Sequence, residues 1–202
     1  MKKLMLVSQP AGTGDIIYTQ SLIHDFIHEG YEIIWPVTDH NVPWLLEAYP
    51  AIKFIPESLV RPEMLQVKKD SVINDMRILP IRFAEYIMGR PYKYHMISKY
   101  ELYGKDWQMW KRDAMPVRNG KREKELRESL GITNGMKYNF IQTRFGNVGQ
   151  FHLPITENNG YPNIEKRIND GFSLIDYKGV IEHAETIHAV RSGTLYLCEI
   201  LD

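Results

Sequence analysis

The chain has 202 residues, 44% of them hydrophobic, and its 25 Lys plus Arg balance its 25 Asp plus Glu. That length can bury one large core or two small ones, and the charge balance excludes the overall basic excess of a typical nucleic-acid binder. A lone cysteine, Cys198, rules out an internal disulfide, and the first apolar run, Leu4 to Val7, is too short for a signal-peptide core or a membrane span, so a soluble, cytoplasmic protein without stable membrane insertion is expected.

The chain opens with a short strand over Lys3 to Val7, followed by the turn Ala11-Gly12-Thr13-Gly14-Asp15 and a helical pattern from Ile16 to Glu29. The apolar stripe Ile16, Leu22, Ile23, Phe26 and Ile27 marks the buried face, Gln20, His24, Asp25 and Glu29 the outer one, and Gly30 the C-terminal stop. Tyr31 to Val37 reads as the second strand of a βαβ unit. Asn41-Val42-Pro43 then starts a short helix through Ala48, and Ile52 to Ile55 is a third strand. Glu57 to Asp70 lacks a period and reads as irregular. Ser71 to Leu79 is expected to be a strand, and Pro80 to Met88 a helix stopped at Gly89. Tyr92 to Trp110 is dense in rings, which serve either a packed helical segment or a sugar-stacking surface.

Asn119 to Leu130 alternates charges of both signs at helical spacing, and a charged helical linker over 119–135 is expected between domains 1–118 and 136–202. The α/β rhythm then restarts. Tyr138 to Thr143 reads as a strand leading into the loop Arg144 to Gly149, with a further strand around Ile164. Ser173 to Asp176 opens a helix that buries Val180, Ile181 and Ala184. Thr186 to Val190 is a strand, Arg191-Ser192-Gly193-Thr194 its exit turn, and Leu195 to Leu201 a last helix with Cys198 on its apolar side. The expected class is α/β, with two Rossmann-like halves facing a cleft and the second half short.

Each half thus has a strand-to-helix turn, Gly12 to Asp15 and Arg191 to Thr194, where open α/β sheets bind ligands. Glycines let a ligand approach the backbone, and the following helix presents N–H groups and a partial positive charge. Asp15 either caps its helix or projects a carboxylate into the crevice. Arg144 is either an anion ligand or a surface ion-pair partner. A dinucleotide fingerprint fits poorly, since Gly12 and Gly14 are followed by Ile17 at the third position. His24 and His28 have a zinc-helix spacing but lack the intervening Glu and a third ligand, so no metal is expected. No Gly-x-Ser-x-Gly elbow supplies a hydrolase nucleophile.

Gly14-Asp15-Ile16-Ile17-Tyr18-Thr19, followed by Leu22 and the strand of Ile33 and Ile34, resembles the opening of the heptosyltransferase-like (family 9-like) glycosyltransferases of the GT-B fold. Leu174 to Leu201 looks like part of the same family's donor half. The resemblance implies sugar transfer from a nucleotide-sugar donor to a glycan or other hydroxyl acceptor, inverting, without a metal or other cofactor. It implies Asp15 as general base. A donor diphosphate then needs cationic and N–H partners, for which Arg144, Ser192, Gly193 and Thr194 are the candidates, with Gly12, Thr13 and Gly14 as the ligand-facing turn and Glu182 or Glu185 as candidates for the ribose hydroxyls. The family's donor domain continues beyond the point where this chain reaches Asp202, so an incomplete donor half is expected. Two further readings are a non-catalytic nucleotide or sugar-phosphate binding module and a Rossmann-type nucleotide-sugar epimerase.

Overall fold

The computed structural model describes residues 3–10, 12–144, 159–167, 170–190 and 192–202. The chain divides into two compact units, Met1–Met115 and Pro116–Asp202. Each is an α/β unit built on parallel strands, as the expected fold class requires.

In the first unit β1 (Lys3–Val7) leads through Gly12 into α1 (Thr13–Tyr18) and α2 (Gln20–His28), and β2 (Tyr31–Val37) returns parallel to β1 with Met5 opposite Ile33. The single expected helix is two, and it begins at Thr13 rather than Ile16. The break falls at Thr19, whose hydroxyl donates to the Asp15 carbonyl at 2.7 Å, a back-bond that bends helices. Gln20, expected outside, is fully buried beyond this break and donates Nε2 to the Ile16 carbonyl at 2.9 Å.

α3 (Val42–Ala48) carries its proline in the first turn, and β3 (Lys53–Pro56) pairs parallel with β2. The stretch read as irregular contains a 3-10 turn at Glu57–Leu59 and a short α-helix, α4 (Pro62–Leu65), which Pro62 opens. Ser71 to Leu79 is a hairpin and not one strand: β4 (Ser71–Ile73) and β5 (Met76–Leu79) are antiparallel about Asn74 and Asp75, both with positive φ. The sheet order is β3-β2-β1-β5-β4, so β1 lies centrally and β5 pairs on its far side, with Val7 opposite Leu79. Buried Trp35 of β2 stacks on Phe54 and donates Nε1 to the Gln9 carbonyl at 2.9 Å, which pins the exit of β1.

α5 (Ala84–Ile87) and α6 (His95–Glu101) follow. The ring-rich segment divides. Tyr100 and Trp110 are buried, their rings meeting Tyr18 edge-on at 5.4 Å and stacked at 5.1 Å, whereas Tyr92 stays exposed. The Tyr100 hydroxyl donates to the Tyr18 carbonyl at 2.5 Å, and burial pushes its pKa well above the ordinary phenol range. These contacts seat α6 on α1.

In the second unit the charged helix α7 (Gly120–Ser129) begins at Asn119, whose side chain accepts from Arg122 N–H. Set between domains by the sequence reading, it buries Leu126 completely against Tyr138, Phe140, Val180 and Leu197. Arg118 binds Glu123 of this helix and Glu182, and Glu123 fills the space a side chain at Gly179 would need. β6 (Asn139–Gln142), β7 (Asn163–Glu165), α8 (Lys178–Glu182), β8 (Thr186–Ala189) and α9 (Gly193–Leu201) complete the unit, with a parallel sheet in the order β7-β6-β8. No helix among the described residues is long and apolar enough to cross a membrane.

Candidate functional site

Gly12 is the N-terminal boundary of α1, at a φ of 93° that favours glycine, and no side chain caps this helix. Asp15 is therefore not its cap. Its carboxylate folds back over Gly12, where an added Cβ would lie 2.3 Å from Oδ2. Its other oxygen, Oδ1, is 3.0 Å from Nζ of Lys99 on α6. Asp15 retains a side-chain exposure of 25%, while Lys99 is 2% exposed. The same ammonium donates to Gln9 Oε1 at 2.7 Å, just beyond β1. Charge-assisted hydrogen bonds of this kind orient a carboxylate strongly where water is scarce.

Gln9, Gly12, Asp15 and Lys99 thus meet at the carboxyl end of β1, between the ends of its neighbours β2 and β5. Strand order reverses about β1, and such a switch point is where open sheets bind ligands. Lys99 is the residue that the sequence reading missed. Its signal was a lysine set between Met96 and Tyr100 on the buried stripe of an aromatic helix.

The second sheet has its own switch point at β6, between β7 and β8. Arg144 follows β6 and is exposed, with no side-chain partner among the described residues. Ser192 precedes α9 and caps it, its hydroxyl accepting from Thr194 N–H at 3.3 Å and lying 3.4 Å from Gln142 Oε1. Gly193 opens the helix. The buried Thr194 hydroxyl has no hydrogen-bond partner among the described residues. Because Gln142 of β6 pairs with Ala189 of β8, Arg144 and Ser192 to Thr194 share one sheet edge. Thr13 and Gly14 lie within the first turn of α1, partly exposed. Ala11, Arg191 and Phe145 to Gly149 lie outside the described residues.

Glu182 pairs with Arg118 at 2.7 Å and Glu185 with Lys137 at 3.1 Å. Cys198 is half-buried, and burial pushes its thiol up to about 11. Among the described residues no group of three or more His, Cys, Asp or Glu is arranged to hold a metal ion.

Several solved structures match the chain, among them two glycosyltransferases. The iron-containing dodecameric glycosyltransferase TibC of enterotoxigenic E. coli matches over 99% of this chain and 56% of its own, at 12% identity and a TM-score of 0.59. A glycosyl transferase family 9 protein of Veillonella parvula matches over 100% of this chain and 79% of its own, at 12% identity and a TM-score of 0.53. The fold is that of glycosyltransferases. The likeness spans both units and agrees with the resemblance read from the Gly-Asp turn. The chain spans little more than half the length of TibC. No protein-family model matches the sequence, and no curated protein matches it significantly.

Proposed function

We propose that the chain is a glycosyltransferase that moves a sugar from a nucleotide-sugar donor to an acceptor hydroxyl, with inversion and without a metal. The observation that carries this reading is the Asp15 carboxylate, held through Oδ1 by buried Lys99 at a strand end while part of it remains open to solvent. The fold shared with two solved glycosyltransferases supports it.

In the proposed step the acceptor oxygen attacks the anomeric carbon as its proton passes to Asp15. The bond from that carbon to the donor phosphate breaks, and its electron pair leaves with the nucleoside diphosphate. A single displacement of this kind inverts the anomeric centre. Lys99 fixes the carboxylate so that no reorientation is needed as the proton moves. Arg144 and the start of α9, with Ser192, Gly193 and the unpartnered Thr194 hydroxyl, grip the diphosphate.

A second reading has one specific observation in its favour. An Asp15 wholly engaged by Lys99 is a structural ion pair, and the chain is then a nucleotide or sugar-phosphate binding module without turnover. Thermal-shift screening against nucleotide-sugars, followed by product analysis with the best binder, separates the two. A ligand at a hundred times its dissociation constant stabilises by about 2.7 kcal/mol. Stabilisation together with a transferred sugar of inverted configuration supports the enzyme. Stabilisation with no release of nucleoside diphosphate, across acceptors, supports the module.

A further inference from the structure

The first unit carries a groove of about 670 Å³, within the range of small-molecule pockets, that the proposed base does not line. Pro10 reaches it from the end of β1, Asp39 from β2, Glu57 and Ser58 from β3, and Arg82 from beyond β5. These four strands run parallel, so the lining residues gather along the carboxyl edge of the sheet. One carboxylate is already oriented: Ser58 donates Oγ–H to Asp39 Oδ2 at 2.7 Å and its N–H to Oδ1 at 3.4 Å. Each oxygen keeps a lone pair for a ligand. The next carboxylate, Glu57, adjoins Ser58 in the chain. Apolar surface comes from Pro10 and Leu65 among others, and the ionisable lining is the carboxylates of Asp39 and Glu57, the guanidinium of Arg82 and the imidazole of His40.

We propose that this groove binds a neutral pyranose, with Asp39 and Glu57 accepting from its hydroxyls, Arg82 donating to an oxygen, and the apolar wall covering its C–H face. Two carboxylates suit a ligand rich in donors, and their excess over cations disfavours a phosphorylated or acidic sugar. The proposal stands apart from the glycosyltransfer reading, since Asp15 does not line this groove.

Saturation-transfer NMR on the intact chain, without any donor, tests it with a panel of methyl hexopyranosides beside the corresponding hexose 6-phosphates. Expected is saturation of at least one methyl glycoside, with affinity about tenfold lower in Asp39→Asn and in Glu57→Gln and lower for the 6-phosphate. Ser58→Ala, which frees Asp39 while keeping the charge, produces a smaller loss and guards against a variant that merely misfolds. No transfer to any neutral glycoside from the folded chain, unchanged affinity in both carboxylate variants, or tighter binding of the 6-phosphates overturns the proposal. Glycoside binding that survives in a chain with no turnover leaves the groove standing and counts against the reaction alone.

Discussion

Lys99 Nζ lies 3.0 Å from Asp15 Oδ1 although Lys99 is almost completely buried, so the first unit keeps an ammonium inside its core for the sake of one carboxylate and the Gln9 side chain. Removing one partner of such a pair strands the other. Lys99→Met is expected to destabilise the first unit by about 2 kcal/mol, less than the roughly 3–5 kcal/mol of fully enclosed pairs because Asp15 is partly solvated. Asp15→Asn combined with Lys99→Met is expected to recover part of that loss. All the tryptophans, Trp35, Trp44, Trp107 and Trp110, belong to this unit, so urea unfolding followed by tryptophan fluorescence reads it alone. Strictly additive losses would show that the two groups do not interact.

Gly12→Ala meets two obstacles: a backbone conformation unfavourable to alanine, and Asp15 Oδ2 at 2.3 Å from the new Cβ. The expected cost is about 1–2 kcal/mol in unfolding free energy. A loss of turnover exceeding what stability explains should accompany it, because the carboxylate must move. A variant with wild-type stability and turnover would contradict this geometry.

Leu126→Ala in the charged helix is expected to cost about 2–5 kcal/mol, since Leu126 is fully buried in the core of the second unit. Far-UV circular dichroism during denaturation should show the loss while tryptophan fluorescence does not. An effect below about 0.5 kcal/mol, typical of a surface site, would place the helix outside that core.

Burial lowers the pKa of His24 below its ordinary value. Nearby His28 and Arg112 act in the same direction, against Asp113 and Asp25. The folded state therefore holds His24 neutral where the unfolded chain takes up a proton, and stability should fall as pH drops below about 6.5. Unfolding at pH 7 and pH 5 should give a smaller difference for His24→Gln than for wild type. An equal difference would assign the acid sensitivity elsewhere.

The elements that were legible in the sequence are those whose signals are local. Lys3 to Val7, Gly12, and Tyr31 to Val37 announce strand, turn and strand by apolar runs and a glycine, and the apolar run before Ser192 announces the strand whose exit turn that serine occupies. The Asn74-Asp75 hairpin was hidden because neither central residue is glycine, although both residue types tolerate positive φ. The break at Thr19 depends on a hydroxyl turning back on its own helix, which leaves no trace in hydrophobic spacing. Lys99 was illegible as a site residue because its partner lies far away in the chain. The packing of Tyr100 and Trp110 on Tyr18 helps carry α6 to α1 and the lysine to Asp15.

The proposed chemistry stands or falls on the initial rate of sugar transfer by Asp15→Asn, measured at saturating donor and alongside the Asp15→Asn, Lys99→Met double variant in which no buried charge is stranded. With the fold intact by tryptophan fluorescence, both are expected to turn over about 10²- to 10⁴-fold more slowly than wild type while binding donor normally. A folded Asp15→Asn chain that transfers sugar at the wild-type rate would contradict the account.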